Sequence, residues 1–372
     1  MTNEKILHVM WNMVIGGAQR AVYQLVREQR RCGIQADLLI GSEDGYYGNL
    51  TREAGANVTA LYQRNSLYLS DASRIQDILK GYSIVHFHSR EIGLMKSISK
   101  QPKIRKFYTH RGGVFHYPFI QLVTYKITGY YIKKYFQGVS GNTAAGADSA
   151  SKLFRIPREK ISTTYNGIDF SLLDPLRTRK EVLDVLHDVR NGIVRIGTSA
   201  NLRDWKRIER LLEAVARLRN RQIHCYIIGD GPAKQALERK TYELAIADCV
   251  TFTGKKEHIG DYLQILDIFV LPSCSLESFG NSVVEAMGVG LPAIIFSDGG
   301  GMLEHIEHRK TGFIIKDVAE LTDTLGALVA DPELRKKIGR EAKRQIREKY
   351  SLDRMIERYS QLYENKSLWI NT

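Results

Sequence analysis

Short apolar runs alternate along this chain with longer stretches in which apolar residues recur every three or four positions. The first run covers 6–10, a polar loop with Gly16 and Gly17 follows, and helical spacing then extends over 18–32. Apolar runs of four to six residues are typical of buried strands, and the three-to-four spacing is typical of helices packed on a sheet. The chain therefore opens with a predicted strand, a glycine loop, a helix and a second strand over 37–40.

The same alternation continues through both halves of the chain. Strands separated by helical stretches predict parallel sheets that are covered by helices on both faces. The fold class is therefore predicted as α/β, with two Rossmann-like parallel-sheet domains that face each other across a cleft. The further predicted strands are 58–61, 84–87, 106–109 and 161–164 in the first half, and 193–199, 224–228, 250–253, 268–271 and 293–296 in the second.

A break in this alternation marks the predicted domain boundary. The pattern stops near residues 166–169, and a polar, charged segment follows. A length of 372 residues fits two domains. We predict an N-terminal domain over 1–172, a linker over 173–191, a C-terminal domain over 192–350 and a terminal helix over 351–372.

Composition indicates a protein of a reducing compartment that is soluble or peripheral to a membrane. The chain has four cysteines and no Cys-x-x-Cys pair, so neither a disulfide framework nor a zinc site is indicated. The N-terminus has no signal-peptide profile, and no apolar run approaches the ~18 residues of a membrane span. We expect a cytoplasmic protein, or one on the cytoplasmic face of the membrane.

The distribution of charge predicts a surface for anions. The net charge is +13, and residues 92–147 contain no Asp or Glu but many basic and aromatic residues. Such a segment suits peripheral contact with the headgroups of an anionic membrane. An ordinary core helix over 119–136 with a solvated basic edge is the alternative. The basic residues assigned to this surface are Lys103, Arg105, Lys106, Lys126, Lys133 and Lys134.

Two carboxylates stand at the mouth of a strand-loop-helix unit in the second half. The strand over 268–271 runs into a turn that is broken by Gly280. Ser282 is the expected N-cap of the following helix, whose first N–H groups and positive dipole end fit a phosphate. Glu277 lies in the turn and Glu285 in the first turns of the helix, so both can reach one cavity. From the residues alone, two solvated charges at a helix start are an equal alternative.

Two cations are predicted at the same sheet edge. Arg203 and Lys206 lie between the strand over 193–199 and the next helix. Cations beside a helix N-terminus suit a diphosphate leaving group, because negative charge builds on it as its bond to a sugar breaks. A solvated charge cluster is the alternative. No Asp-x-Asp follows a strand, so we expect no divalent metal to bridge that diphosphate.

The first half offers candidate contacts of its own. The turn at Gly16 and Gly17 lets another group approach backbone N–H, although a plain tight turn is the alternative and the dinucleotide fingerprint is absent. His86, His88 and His110 stand at the carboxyl ends of two predicted strands, the edge where open α/β sheets bind ligands. A metal site fits the residue type, but no carboxylate joins the histidines at ligand spacing. For His110 we favour a ligand contact.

Together these motifs resemble the retaining glycosyltransferases of the GT-B fold, in the large family 4 group. Glu277 and Glu285 have the spacing of that family's E-x7-E motif. This motif alone is weak, but the ordered set of motifs is specific and extends over nearly the whole chain. The other matching motifs are Gly16-Gly17-Ala18, Thr109-His110, Asn166-Gly167-Ile168-Asp169, Lys206, Gly229-Asp230-Gly231-Pro232 and Gly299-Gly300.

The resemblance implies transfer of a sugar from a UDP- or GDP-sugar donor, with the anomeric configuration retained and with neither metal nor cofactor. Glu277 would hold hydroxyls of the donor sugar, and His110 would lie beside that sugar. Lys206 would bind the diphosphate and Glu285 the ribose. The acceptor would be a glycan or a lipid-linked molecule in cell-surface polysaccharide or glycolipid biosynthesis.

The same resemblance implies the remaining donor contacts. Arg203 would supply a second cation, since the family's usual arginine five residues before the lysine is replaced here by Asn201. The terminal helix over 351–372 would cross back to the first domain, and the basic surface would face the membrane or the acceptor. Backbone groups in contact with the donor would come from Gly16, Gly17, Phe279, Gly280, Asn281 and Ser282.

Other functions fit parts of the pattern. A nucleotide-sugar epimerase or a phosphorylase shares the GT-B architecture, although the context of the E-x7-E motif argues against both. A non-catalytic partner subunit of another transferase would keep the fold and bind lipid. A single-stranded nucleic-acid binder fits the basic and aromatic residues, but it is the least favoured of these functions.

Overall fold

The computed structural model of the protein describes residues 4–65, 72–112, 119–218 and 222–370. The chain divides into two units. The first consists of Met1–Gly167 together with Leu352–Thr372, and the second of Ile168–Ser351. Residues 113–118 of the acid-free segment lie outside the described residues.

A parallel sheet of seven strands forms the first unit, in the order β3-β2-β1-β4-β5-β6-β7. Both faces of the sheet are buried, because along the first strand Leu7 and Val9 pack into one apolar cluster and Ile6 and Met10 into others. The strands are β1 (Lys5–Met10), β2 (Gln35–Ile40), β3 (Val58–Ala60), β4 (Ile84–Phe87), β5 (Arg105–His110), β6 (Gly138–Gly141) and β7 (Ile161–Thr163). The helices between them are α1 (Gly17–Arg31), α2 (Tyr46–Glu53), α3 (Ala72–Ile78), α4 (Ile92–Ser99), α5 (Phe119–Tyr135) and α6 (Ala144–Phe154).

A second parallel sheet, of six strands, forms the second unit in the order β10-β9-β8-β11-β12-β13. The predicted α/β class with two parallel-sheet domains is therefore confirmed. The strands are β8 (Val194–Ser199), β9 (Ile223–Ile228), β10 (Val250–Gly254), β11 (Ile268–Leu271), β12 (Ala293–Phe296) and β13 (Gly312–Ile315). The helices are α7 (Arg179–Val185), α8 (Ile208–Leu218), α9 (Lys234–Glu243), α10 (Ile259–Leu263), α11 (Asn281–Val289), α12 (Val318–Ala330) and α13 (Pro332–Lys349).

Each sheet has a point where the strand order reverses. In the first sheet this point lies between β1 and β4, and in the second between β8 and β11. Helices leave such neighbouring strands toward opposite faces, so a crevice opens beyond their carboxyl ends, and open α/β sheets bind ligands there. A ligand site is therefore expected in the loops after these four strands.

The strand β6 is absent from the sequence-based prediction. It contains Gly138 and Gly141 with a single large apolar residue between them, so it has no apolar run. The glycine is required by packing, because a Cβ at Gly141 would lie 2.2 Å from the backbone nitrogen of Ala147 on α6. Because the close packing of α6 requires glycine here, β6 lacks the apolar run by which a strand is recognised.

The segment predicted as a linker, 173–191, is part of the second unit. Helix α7 lies within it, begins with a capping box between Thr178 and Glu181, and buries Val182. Asp188 is buried as well, and its carboxylate accepts a hydrogen bond from Nε of Arg195 on β8 at 3.0 Å. The polar composition of this segment therefore reflects buried ion pairing as well as exposure.

The C-terminal helix α14 (Leu352–Glu364) belongs to the first unit. It packs against α1 and buries Met355, Tyr359 and Tyr363. The hydroxyl of Tyr363 hydrogen-bonds Nδ1 of His86 on β4 at 2.7 Å. The end of the chain thus completes the core of the unit with which the chain begins.

Candidate active site

Lys206 and Glu277 meet at the switch point of the second sheet. Lys206 ends a short 3-10 turn after β8, and Glu277 lies in the turn after β11, so neighbouring strands bring them to one edge. The Lys206 ammonium forms an ion pair with the Glu277 carboxylate, and the two side chains are only 10% and 12% exposed. The ring of Trp205 lies beneath the ammonium, with its centroid 4.4 Å from Nζ. Two of the predicted site residues therefore form one polar pair.

Backbone hydrogen bonds tie three loops together around this pair. The N–H of Cys274 donates to the carbonyl of Trp205 at 3.2 Å, and the N–H of Glu277 donates to the carbonyl of Cys274 at 3.0 Å. The N–H of Gly301 donates in turn to the carbonyl of Glu277 at 3.1 Å. Gly300 has a φ of +62°, and a Cβ there would lie 2.6 Å from that same carbonyl. The Gly299-Gly300 motif is thus the feature that lets the third loop close on the Glu277 turn.

Helix α11 begins beside this turn, and its N-cap residue makes no side-chain hydrogen bond to the helix. Its N-cap is Gly280, so the prediction of Ser282 as N-cap is wrong, because Ser282 already lies inside the first turn. Gly280 has a φ of +71°, and a Cβ there would lie 2.5 Å from Cγ of Met302. A helix start without a side-chain cap directs N–H donors and the positive dipole end outward, as binding of a phosphate requires. The backbone donors predicted over 279–282 all lie at this start.

The other charged candidates of the second unit differ in exposure. Glu285 is buried on α11, with 5% of its surface exposed. Arg203 is exposed just before the 3-10 turn that ends at Lys206. No residue in the described ranges forms an ion pair or hydrogen bond with the Arg203 side chain. The structure thus leaves Arg203 outside the Lys206–Glu277 pair, and its role as a second cation stays a prediction.

A buried histidine supports the turn and is absent from the sequence-based prediction. Nε2 of His305 donates to the carbonyl of Phe279, and Nδ1 accepts from the hydroxyl of Tyr350 at 2.7 Å. Burial lowers the pKa of His305 to about 3, so the ring is neutral and has one donor and one acceptor for these two partners. The three rings also pack edge to face, with centroids 4.8 to 5.3 Å apart. No local sequence motif predicts that His305 supports the turn, since the residues come from distant parts of the chain.

The Gly229-Asp230-Gly231-Pro232 motif forms the turn after β9, beside the loop that follows β8. A Cβ at Gly229, whose φ is +134°, would lie 1.9 Å from the carbonyl of Ala200. The N–H of Leu202 donates to the carbonyl of Asp230 at 2.9 Å. These glycines let the turn approach the backbone that leads to Lys206, which is a structural reason for the motif.

In the first unit, Gly16 and Gly17 form the start of α1. Gly16 is the N-cap with an extended backbone, and no side chain caps the helix. A Cβ at Gly16 would lie 2.4 Å from Oε1 of Gln19, whose amide donates to Asn12 at 2.8 Å. The start of α1 is therefore the place where another group would approach the backbone N–H groups, as the sequence analysis predicts.

His110 ends β5 and is buried, with 2% of its surface exposed. Its ring packs edge to face against Tyr125 and Phe154 at centroid distances of 5.9 Å. Burial lowers the pKa of His110 to about 4, so the ring is uncharged at neutral pH. His110 lines a cavity with His88, which the sequence analysis also singled out, and with further residues that follow β1 and β4.

The other two predicted histidines form a cluster with His8, although His88 also lines the cavity of His110. His86 and His88 lie with His8 on β1, and ring nitrogens of the three come within 4.8 Å of one another. All six nitrogens already have hydrogen-bond partners, which include Gln29 for His8 and Arg111 for His88. Burial lowers the pKa of each ring, to about 4 for His8. The cluster is thus a set of neutral, hydrogen-bonded rings beside a guanidinium, whose positive charge opposes the binding of a metal cation.

Only some of the residues predicted to form the basic surface are exposed. Lys106 is wrongly placed there, because it is buried and its ammonium donates to the carbonyls of Gln101 and Ile104 at 2.7 Å each. Burial lowers the pKa of Lys106 to about 8. Arg105 is half-buried and donates to the carbonyl of Tyr363 on α14 at 2.9 Å. Both side chains satisfy backbone groups of their own unit.

Helix α5 does present a continuous exposed face. Lys103 is exposed before β5, while the three remaining lysines of the prediction share this face with large apolar side chains, and no acidic residue lies on the helix. The exposed residues are Leu122, Val123, Lys126, Ile127, Tyr130, Lys133 and Lys134. No helix in the part of the chain that the structure describes is long and apolar enough to cross a membrane.

Two family profiles match the chain, one over each half. Residues 15–172 match Glycosyltransferase Family 4, and residues 190–345 match Glycosyl transferases group 1. The N-acetyl-alpha-D-glucosaminyl L-malate synthase of Bacillus anthracis is 28% identical over 213 residues, which are 56% of this chain and 54% of that protein. The putative glycosyltransferase EpsF of Bacillus subtilis is 26% identical over 314 residues, 79% of each chain.

The fold is shared with solved structures. The crystal structure of Anabaena HepE in complex with UDP aligns with a TM-score of 0.86 and 17% sequence identity, over 97% of this chain and 100% of that one. This likeness shows the GT-B fold. With a profile matched over each half of the chain, the protein belongs to the GT-B glycosyltransferases of the group 1 and family 4 type.

Proposed function

We propose that the protein is a retaining glycosyltransferase, which moves a sugar from a nucleotide-sugar donor to a glycan or lipid-linked acceptor in cell-surface polysaccharide or glycolipid biosynthesis. The observation that carries this proposal is the Lys206–Glu277 pair beside the uncapped start of α11. A nucleotide-sugar has two parts that match these groups. Its phosphates suit a cation and helix N–H donors, and its sugar hydroxyls suit a carboxylate.

Uracil is the favoured base of the donor nucleotide, because the Anabaena HepE structure contains UDP. Lys206 pairs with Glu277, so donor binding would exchange this ion pair for contacts with diphosphate and sugar. Glu285 is proposed to bind the ribose and Arg203 the diphosphate. The donor contacts that the resemblance implies for Gly16, Gly17 and His110 belong to the same proposal.

The proposed reaction needs no protein nucleophile. The acceptor hydroxyl oxygen bonds to the anomeric carbon as the bond from that carbon to the diphosphate oxygen breaks. The departing phosphate oxygen takes the acceptor proton on the face where the acceptor attacks, so the configuration is retained. Lys206 and the α11 start stabilise the charge that develops on the leaving group, which is the work that a metal does in other transferases.

A panel of UDP- and GDP-sugars tests this function. We expect one donor to raise the melting temperature of the protein, because ligand that binds only the folded state stabilises it. The same donor should release nucleotide in the presence of an acceptor, and NMR of the product should show the donor's anomeric configuration. A product with the inverted anomeric configuration would contradict the retaining mechanism. Binding without any nucleotide release would favour the non-catalytic partner subunit.

The exposed face of α5 is proposed to rest on an anionic membrane. Its lysines lie beside large apolar side chains, the combination by which a peripheral helix binds headgroups and inserts apolar groups between them. Such contact would place the protein where lipid-linked acceptors are, on the cytoplasmic face of the membrane.

Replacing Lys126, Lys133 and Lys134 together with glutamate should abolish this membrane contact. Each lysine near an anionic surface contributes about 1 kcal/mol, so the three together account for on the order of 100-fold in partitioning. Sedimentation with phosphatidylglycerol vesicles measures the effect. The matched control is glutamate at three exposed lysines of α13, which changes the net charge equally: Lys336, Lys337 and Lys343. Equal loss in both triple variants would mean that only net charge matters.

A further inference from the structure

A cavity of about 580 Å³ lies at the switch point of the first sheet. Its walls come from the loops after β1, β4 and β5 and from the inner side of α5. None of the second-unit residues that carry the proposed function belongs to it. The lining includes Trp11, Arg90, Glu91, His110, Arg111 and Tyr125.

Arg90 is a half-buried cation in this cavity, and it is held in place. Its guanidinium lies over the ring of Tyr125, 3.9 Å from the ring centroid, and Nη1 donates to the hydroxyl of Thr124 at 3.0 Å. Across the described ranges it has no ion pair and no further hydrogen bond. A guanidinium that is fixed and still has donors to offer suits a carboxylate or phosphate, which accepts two parallel hydrogen bonds.

Arg111 adds a second positive charge, and its partners are neutral. Nη1 donates to Oδ1 of Asn166 at 2.8 Å, Nη2 to the hydroxyl of Tyr359 at 2.9 Å, and Nε to Nδ1 of His88 at 3.3 Å. Burial holds the pKa of His88 well below its ordinary value. The charge of Arg111 is thus held at the cavity, and no described carboxylate forms an ion pair with it.

Two buried polar atoms of the lining have no partner. Nε2 of His110 and Oε2 of Glu91 lack hydrogen bonds, although the two residues are only 2% and 0% exposed. Burial raises the pKa of Glu91 to about 7, so this carboxyl is only partly ionised at neutral pH and does not cancel the two arginines. Buried polar atoms without partners are costly, and a ligand with hydroxyl groups would satisfy them.

From this arrangement we propose that the cavity is the acceptor site and that the acceptor is a hydroxylated anion, a sugar or polyol that carries a carboxylate or a phosphate. Its anionic group binds Arg90, with Arg111 adding to the positive potential. One of its hydroxyl groups pairs with Glu91, and the ring of Trp11 offers an apolar wall, while Nε2 of His110 is reserved for the donor sugar. The inference rests on the proposed function in one respect, namely that the molecule bound here receives the sugar.

Calorimetry without donor tests the cavity itself. The probes are methyl glucuronide, glucose 6-phosphate and neutral methyl glucoside. We expect at least one anion to bind 10-fold or more tightly than the glucoside, and the stronger of the two shows whether carboxylate or phosphate is preferred. Arg90→Met keeps an unbranched apolar stem beside Tyr125 and should weaken that binding 10-fold or more. The control Arg155→Met changes an exposed arginine of the same unit and should change nothing.

Kinetics with the active nucleotide-sugar test the acceptor role. Arg90→Met should raise KM for the anionic acceptor 10-fold or more and leave KM for the donor within two-fold. Equal use of the glucoside, or a rise in donor KM instead, would overturn the proposal, as would failure of both anions to bind. If the anions bind through Arg90 but no donor ever releases nucleotide, the glycosyltransferase function fails while the anion site stands.

Discussion

Replacing either Glu277 or Lys206 with alanine is expected to lower sugar transfer by about 100-fold or more while the protein stays folded. Without Lys206, the diphosphate faces the unpaired Glu277 carboxylate and loses the cation that stabilises its developing charge. Without Glu277, the donor sugar loses the carboxylate that holds its hydroxyls. Nucleotide release with the active donor measures turnover, and circular dichroism with thermal unfolding measures folding.

An exposed ion pair in the same unit supplies the matched control. Glu333 and Lys336 pair on α13 at 2.8 Å, with side chains 75% and 65% exposed. Alanine at either should leave turnover within two-fold, because exposed pairs contribute little and these lie on a helix without site residues. Near-normal turnover in Glu277→Ala or Lys206→Ala would remove the pair from the mechanism. Unfolding of both variants would instead give the pair a structural role.

Substitution of Gly280 by alanine should destabilise the second unit and abolish donor binding. The left-handed backbone costs a non-glycine residue about 1 kcal/mol. The added Cβ would also lie 2.5 Å from the side chain of Met302, which is fully buried and has little room to move. Overpacking of this kind costs roughly 1–3 kcal/mol, so we expect a total loss of about 2–4 kcal/mol. Urea unfolding and a thermal shift with donor measure the two effects.

Gly254 separates backbone strain from overlap. Its φ is +70°, nearly the same as at Gly280, but a Cβ there would meet no atom within 4 Å. Gly254→Ala should therefore cost only about 1 kcal/mol and leave donor binding unchanged. If the two variants prove equally stable, Met302 yields more easily than its burial indicates. Donor binding that survives in Gly280→Ala would show that the α11 start does not contact the phosphate.

Local patterns were sufficient for most strands. The strands β11 and β12 have the predicted bounds, because each is a four-residue apolar run that is buried on both faces of a parallel sheet. The strand β6 could not be recognised in this way, since its glycines reflect contact with α6. The spacing of apolar residues therefore identifies strands that bury apolar side chains. It misses a strand whose glycines allow a helix to pack closely against it.

Charge was a poorer guide to surface than apolar spacing was to the core. Lys106 was predicted at an exposed face, yet backbone carbonyls satisfy its ammonium inside the first unit. Asp188, in a segment predicted as a linker, is buried because arginines accompany it. A charged residue in a sequence indicates exposure only when no partner lies nearby in space, and that partner is visible only in the folded structure.

By itself the sequence determined the α/β class, most of the order of strands and helices, the family, and which residue types are available at the Lys206 and Glu277 loops. Only the tertiary structure decided that these residues, 71 positions apart, form one partly buried pair, and that Arg90, Glu91 and His110 line one cavity. The physical reason is strand order. A strand can be recognised from its own residues, but the sheets reverse between β8 and β11 and between β1 and β4, and this reversal selects the loops that meet.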